Sequence, residues 1–179
     1  MTSASRSAAT GSDWVVELPD GWLPAREPDP PAWTDRTLLR AAAQPLARLL
    51  EDDHAAGAAS TAWSPAPLAE HGILATHSVL LADPGIPADA HAVSPDQDVV
   101  LPYCRGTMSV VVAMRDGHPI LVVTHRLDLS MGHHLVLVGR TPNVTLADEF
   151  VRLFHLVAAS AEIVSSSDGF GRQPAVVRT

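Results

Sequence analysis

The chain contains no lysine: all twelve basic residues among its 179 are arginine. That absence excludes a lysine Schiff base, a lysine general base and the lysine of a phosphate-binding P-loop. Cysteine is nearly absent as well. Cys104 alone permits no internal disulfide and no cysteine-based zinc site within one chain, and its apolar setting Leu101-Pro102-Tyr103 reads as a buried, inert thiol. No apolar run approaches the length of a membrane span, and the opening MTSASRSAATGSD lacks the apolar stretch of a secretory signal. A formal charge of −8 leaves no basic footprint for a phosphate backbone. These absences point to a cytoplasmic protein with neither nucleic acid nor membrane as partner. The abundance of Ala, Pro, Gly and Val agrees with a GC-rich genome, which also favours arginine over lysine.

What is present announces fold before function. The length suits one domain with tails: a small, polar, disordered leader over 1–12, a single α+β domain over 13–164, and a Ser/Gly-rich flexible tail over 165–179. The domain is organised around MSVVVAMRDGHPILVVTHRLDLSMGHHLVLVGRTPNVTLADEFVRLFHLV, residues 108–157. It holds three apolar β-rich runs and then one amphipathic helical run. Asp116-Gly117 suits a type I′ hairpin turn, whose two central residues need positive φ. It pairs Arg115 with His118, Ala113 with Ile120 and Val111 with Val122. A second turn at Ser130-Met131-Gly132 pairs Leu129 with His133, Leu127 with Leu135 and His125 with Leu137.

Alternation along the strands then sorts the side chains. One face carries Val110, Val112, Met114, Leu121, Val123, His125, Leu127, Leu135 and Leu137, and reads as core. The other carries Val111, Ala113, Ile120, Val122, Val136 and Val138, with Arg115, Arg126 and Arg140 near its edges. The following helix is capped by Thr145 and lays Leu146, Phe150, Leu153, Phe154 and Val157 on the leucine-rich face, with Asp148, Glu149 and Arg152 toward water.

Elsewhere, Trp14–Pro19 reads as a short strand ending in the Asp20-Gly21 turn. A helix with Leu38, Leu39, Ala42, Leu46, Leu49 and Leu50 on one side starts at Asp35, and Pro45 predicts a kink or two short helices. Glu51-Asp52-Asp53 sits where the helix dipole disfavours acids. Residues 55–67 read as a connector, 72–82 as a strand, 83–98 as a long loop, and 98–103 and 161–164 as short strands. The expected architecture is an antiparallel sheet of five or six strands with flanking helices; βαβ alternation is missing.

No motif names a reaction. There is no G-x-S-x-G elbow, and Gly169-Phe170-Gly171 precedes no helix. His118, His125, His133 and His134 cluster in sequence, but the register spreads them over opposite faces, so neither a metal site nor any other cofactor is expected. His77 and His125 both fall on apolar strand faces. They read as core imidazoles, with acid–base residues of a small hydrolase or isomerase, or a small-molecule pocket, as the alternative. The tryptophans Trp14, Trp22, Trp33 and Trp63 read as core, with an aromatic ligand platform as the alternative.

The opening WVVELPDGW and the ending HLVLVGRTPNVTLADEFVRLFHLV resemble the two ends of the MOG1/PsbP-like fold, a group that includes LpqN-type lipoproteins and small secretion-effector chaperones. Cys104 lies far from any lipidation position, which departs from the lipoproteins. The resemblance implies a non-enzymatic, protein-binding module. The residues suggest how: the apolar runs are nearly continuous, as in strands covered on both faces. The strip Val111, Ile120, Val122, Val136 and Val138 with Arg115, Arg126 and Arg140 is therefore expected to meet a carboxylate-rich partner or a second copy. The alternative is that the Asp35–Leu50 helix covers it within the chain.

Overall fold

Strand pairing across the middle of the chain builds an eight-stranded antiparallel sheet. The computed structural model describes residues 8–10, 14–25, 40–129 and 134–163. The expected tail, Trp33, the Ser130–Gly132 turn and most of the expected leader lie outside the described residues. Within that leader, Ala8–Thr10 (β1) pairs with Trp14–Glu17 (β2).

The hairpin of Arg105–Arg115 (β8) and His118–Asp128 (β9) is the longest strand pair of the sheet. Its register matches Arg115 to His118, Ala113 to Ile120 and Val111 to Val122. Asp116 and Gly117 take φ of 51° and 79°, which a type I′ turn requires. His134–Thr141 (β10) continues the meander with Leu127 opposite Leu135 and His125 opposite Leu137. Beyond β10 lie Thr76–Leu80 (β5), Ala58–Trp63 (β4) and Leu23–Ala25 (β3); at the other edge, His91–Ala92 (β6) and Gln97–Val100 (β7) both pair with β8. The count exceeds the expected five or six because β3, β4 and β6 join the sheet.

β4 corrects the reading of 55–67 as a connector. Its Ala and Ser residues carry little strand preference of their own, but pairing on both edges overrides propensity. Thr61 and Ser78 share a hydrogen bond of 2.9 Å across the pair, and Ala62 and Trp63 are buried. The short helix Ala66–Glu70 (α2) follows directly.

Two long helices flank the sheet. Ala147–Ala159 (α3) buries Phe150, Phe154 and Val157 on the face with Val110, Leu121, Val123, Leu135 and Leu137. Trp14, Val16 and Trp22 join this core, and Glu162–Ile163 (β11) completes a small sheet with β1 and β2. Gly139 makes the packing possible. A Cβ there would lie 2.3 Å from the Phe154 ring, so the ring fills the space a side chain would need. Thr145 is exposed and does not cap α3, which is preceded by a 3-10 turn over Val144–Leu146. Asn143 anchors this junction instead, accepting from Leu74 N and donating to Gly72 O, both at 2.8 Å. Met114, expected in the core, is 42% exposed beside the hairpin turn.

Arg40–Ala55 (α1) is one helical run with Pro45 inside it, not two short helices. An interior proline costs about 3 kcal/mol, and the burial of Leu49 and Leu50 opposes that cost. The helix runs through Glu51-Asp52-Asp53 to Ala55, and Gly57 just beyond it takes a φ of 76°, the left-handed conformation that suits a helix stop.

Candidate functional site

The second face of the sheet lies under α1, and the strip expected to meet either a partner or this helix is buried there. Val111, Ala113, Ile120, Val122, Val136 and Val138 are all buried in one cluster with Leu49 and Leu80, flanked by Ala56, Ala58 and Ala90. Of the two covers expected, a partner or the helix within the chain, the burial of the strip with Leu49 agrees with the second. Intramolecular burial removes the same apolar area from water without the lost freedom of a second molecule.

The arginines likewise find carboxylates inside the chain. Arg115 meets Asp52 at 3.0 Å, Arg126 meets Asp83 at 2.7 Å, and Arg140 pairs with Asp53. The last pair is sealed, with Asp53 and Arg140 both buried. Burial pulls the Arg140 guanidinium down to about 10, against the raising effect of Asp52. The Arg126 side chain holds the Asp83 carboxyl below its ordinary value. These pairs explain why acids tolerate the C-terminal end of α1: cations of the sheet compensate the unfavourable dipole.

The histidines of interest lie on the opposite face, beneath α3. His125 is 0% and His77 is 2% exposed. His125 Nε2 lies 3.4 Å from His155 Nδ1, while neither ring nitrogen of His77 has a partner among the described residues. The His77 ring centroid is 5.7 Å from that of Phe154. Burial pushes His77 down to about 4; burial, then the neighbouring His155 and His77, pushes His125 down to about 3. Neutral imidazoles this far below neutrality are weak general bases. Neither lines the two surface clefts formed by Pro45 and Pro119 and by Asp98 and Asp128. Among the described residues no group of three or more His, Cys, Asp or Glu side chains could hold a metal ion. Trp14, Trp22 and Trp63 are core residues, and burial, then the charge of Asp128, raises the Cys104 thiol.

Among the clefts formed by the described residues, two bear on binding. One, of about 510 Å³ beside β7 and β8, mixes Asp98 and Asp128 with Arg105 and Arg126, so it favours neither sign of charge. The other, of about 250 Å³, lies between α1 and the β8–β9 hairpin. Pro45, Leu49, Pro119, Ile120 and Pro142 give it an apolar floor, and Gln44, Arg48, Arg115 and His118 supply its polar groups. Its walls are clasped reciprocally: Arg48 of α1 meets Asp116 of the turn at 3.1 Å, and Arg115 of β8 meets Asp52 of α1. Of the expected site residues, Ile120 and Arg115 line this cleft; Val111, Val122, Val136, Val138, Arg126 and Arg140 do not. Gln44, Arg48, Pro119 and Pro142 carried no signal in the sequence. Only the misplaced acids of α1 hinted that arginines must come to meet them.

The fold is similar to two solved structures. One is LpqN, involved in cell envelope biogenesis of Mycobacterium tuberculosis, at 11% identity over 90% of this chain and 87% of that one, with a TM-score of 0.48. The other is the cyanobacterial PsbP of Synechocystis sp. PCC 6803, at 12% identity over 90% and 94%, with a TM-score of 0.47. The resemblance to the PsbP-like and LpqN-like fold is weak and concerns the fold alone. The chain matches no family model and none of the curated proteins. No helix among the described residues is long and apolar enough to cross a membrane.

Proposed function

We propose that the protein is a non-enzymatic, adaptor-like module that binds a protein partner through the cleft between α1 and the hairpin. The observation that carries this reading is an apolar-floored concavity at the surface, bordered by arginines whose positions are set by ion pairs between its two walls. The buried imidazoles His77 and His125 are packed under the other helix, away from this cleft, whose one histidine among the described residues is His118. A second copy of the chain or another protein can present a suitable segment. The test is selection from a random displayed-peptide library on the folded protein, followed by Gln44→Trp, which fills the cleft mouth without cutting an ion pair. Selected peptides should lose at least tenfold in affinity for the variant. A library that yields no binders, or peptides indifferent to Gln44→Trp, would overturn the reading.

A further inference from the structure

We infer that the cleft is built to receive a chain terminus: the carboxylate of a C-terminal residue at the rim, and that residue's apolar side chain on the floor. This deepens the binding-module reading and rests on it. The argument starts from charge. In a chain of net charge −8, every charged lining residue of this cleft among the described residues is a cation, Arg48 or Arg115, with His118 beside them. The carboxylates that hold these arginines, Asp116 and Asp52, belong to the walls and do not line the cavity.

Those ion pairs position the guanidinium groups without exhausting them. Each contact engages one nitrogen, and the arginine side chains remain 34% and 46% exposed. A guanidinium carries five N–H donors and prefers the planar, two-oxygen geometry of a carboxylate. Both groups are held before an anion arrives, which lowers the ordering cost of binding. The floor offers the reverse. Three of its five apolar residues are proline, which presents no backbone N–H, so a polar body would find few partners below the rim.

Size and shape select the occupant. A volume of about 250 Å³ falls below the roughly 300–1,000 Å³ typical of pockets for drug-sized ligands. It suits one side chain with its carboxylate. The cleft is a surface concavity and not an enclosed cavity, so the preceding residues of a peptide can leave into solvent. An internal acidic residue would need a neighbour to fill the floor, whereas a terminal apolar residue brings both groups from one position.

The test uses the full chain and three probes: a fluorescein-labelled Gly/Ser peptide ending in leucine with a free carboxylate, the same peptide amidated, and free 4-methylpentanoate. Binding is read by anisotropy and by backbone amide NMR shifts. The free-carboxylate peptide should bind saturably, move the amides of His118 and Ile120, and weaken at least tenfold on amidation. Arg115→Gln and Arg48→Gln should each weaken it at least fivefold, with a cooperative unfolding transition well above the assay temperature showing that the fold survives. Should either variant fail to fold, the comparison of free and amidated peptides on the wild type decides. Equal binding of the amidated peptide, still blocked by Gln44→Trp, would overturn the terminus and leave the binding module standing. Binding of 4-methylpentanoate as tight as the peptide's would overturn it too, in favour of a free small acid. No saturable shift with any probe would remove the carboxylate site altogether, while library-selected peptides that Gln44→Trp still excludes would preserve the broader reading.

Discussion

The two faces of the central sheet are covered by helices of similar length, yet they are held by different forces. Under α3 the contact is apolar, with Phe150, Phe154 and Val157 against leucines and valines, and its polar guests are neutral imidazoles. Under α1 the valine strip is buried too, but the helix adds Leu49 to that cluster and then relies on ion pairs to Arg115, Arg140 and Asp116. A face closed by dispersion and area excludes water everywhere. A face clasped by long charged side chains holds its two layers at the ends of those side chains and leaves room between them. The one apolar-floored surface cleft described above lies on that second face.

The largest effect expected from attacking this contrast falls on the buried pair. Asp53→Ala leaves the Arg140 charge sealed without its partner and should destabilise the protein by about 3–5 kcal/mol. Replacing both, Asp53→Leu with Arg140→Met, should recover most of that loss. Urea unfolding of the single and double variants measures both. A single variant near wild type would show that the second face is not held by charge.

Acid should act on the first face instead. His77 and His125 are held neutral, so the folded state binds fewer protons than the unfolded chain, whose histidines titrate near 6.5. Their contribution is therefore complete above that value and is lost as pH falls toward about 4 for His77 and about 3 for His125. By about pH 5 each should cost roughly 2 kcal/mol relative to neutrality. Denaturant midpoints at the two pH values, with and without His125→Leu, check this. A variant as acid-sensitive as the wild type would place the sensitivity elsewhere.

The smallest effect belongs to the outer clasp. Arg48→Gln removes a half-exposed pair with Asp116 and should cost about 0.2–1 kcal/mol, less at high salt. Thermal unfolding at low and high ionic strength would show it, and a salt-independent loss would mean that packing, not charge, is what Arg48 supplies.

Much of the fold was legible because its signals are local. Asp116-Gly117 dictates its own turn, the turn fixes the register, and alternation then assigns both faces of the hairpin. β4 was not legible, since AASTAW becomes a strand only because β3 and β5 lie on either side of it. The candidate site was legible in part. Arg115 and Ile120 stood out as members of a strip, but the cleft that contains them also needs Arg48 and Pro142, which no spacing connects to the hairpin.

The sequence by itself determined the antiparallel hairpins, the apolar stripe of α3 and the existence of two apolar sheet faces, because periodicity and turn chemistry act over a few residues. Tertiary structure decided what covers the second face. Whether α1, another chain or water meets Val122 depends on where a distant helix can pack and on whether Asp52 and Asp53 reach Arg115 and Arg140. Those pairings join residues more than sixty positions apart, and no local pattern encodes an encounter of that range.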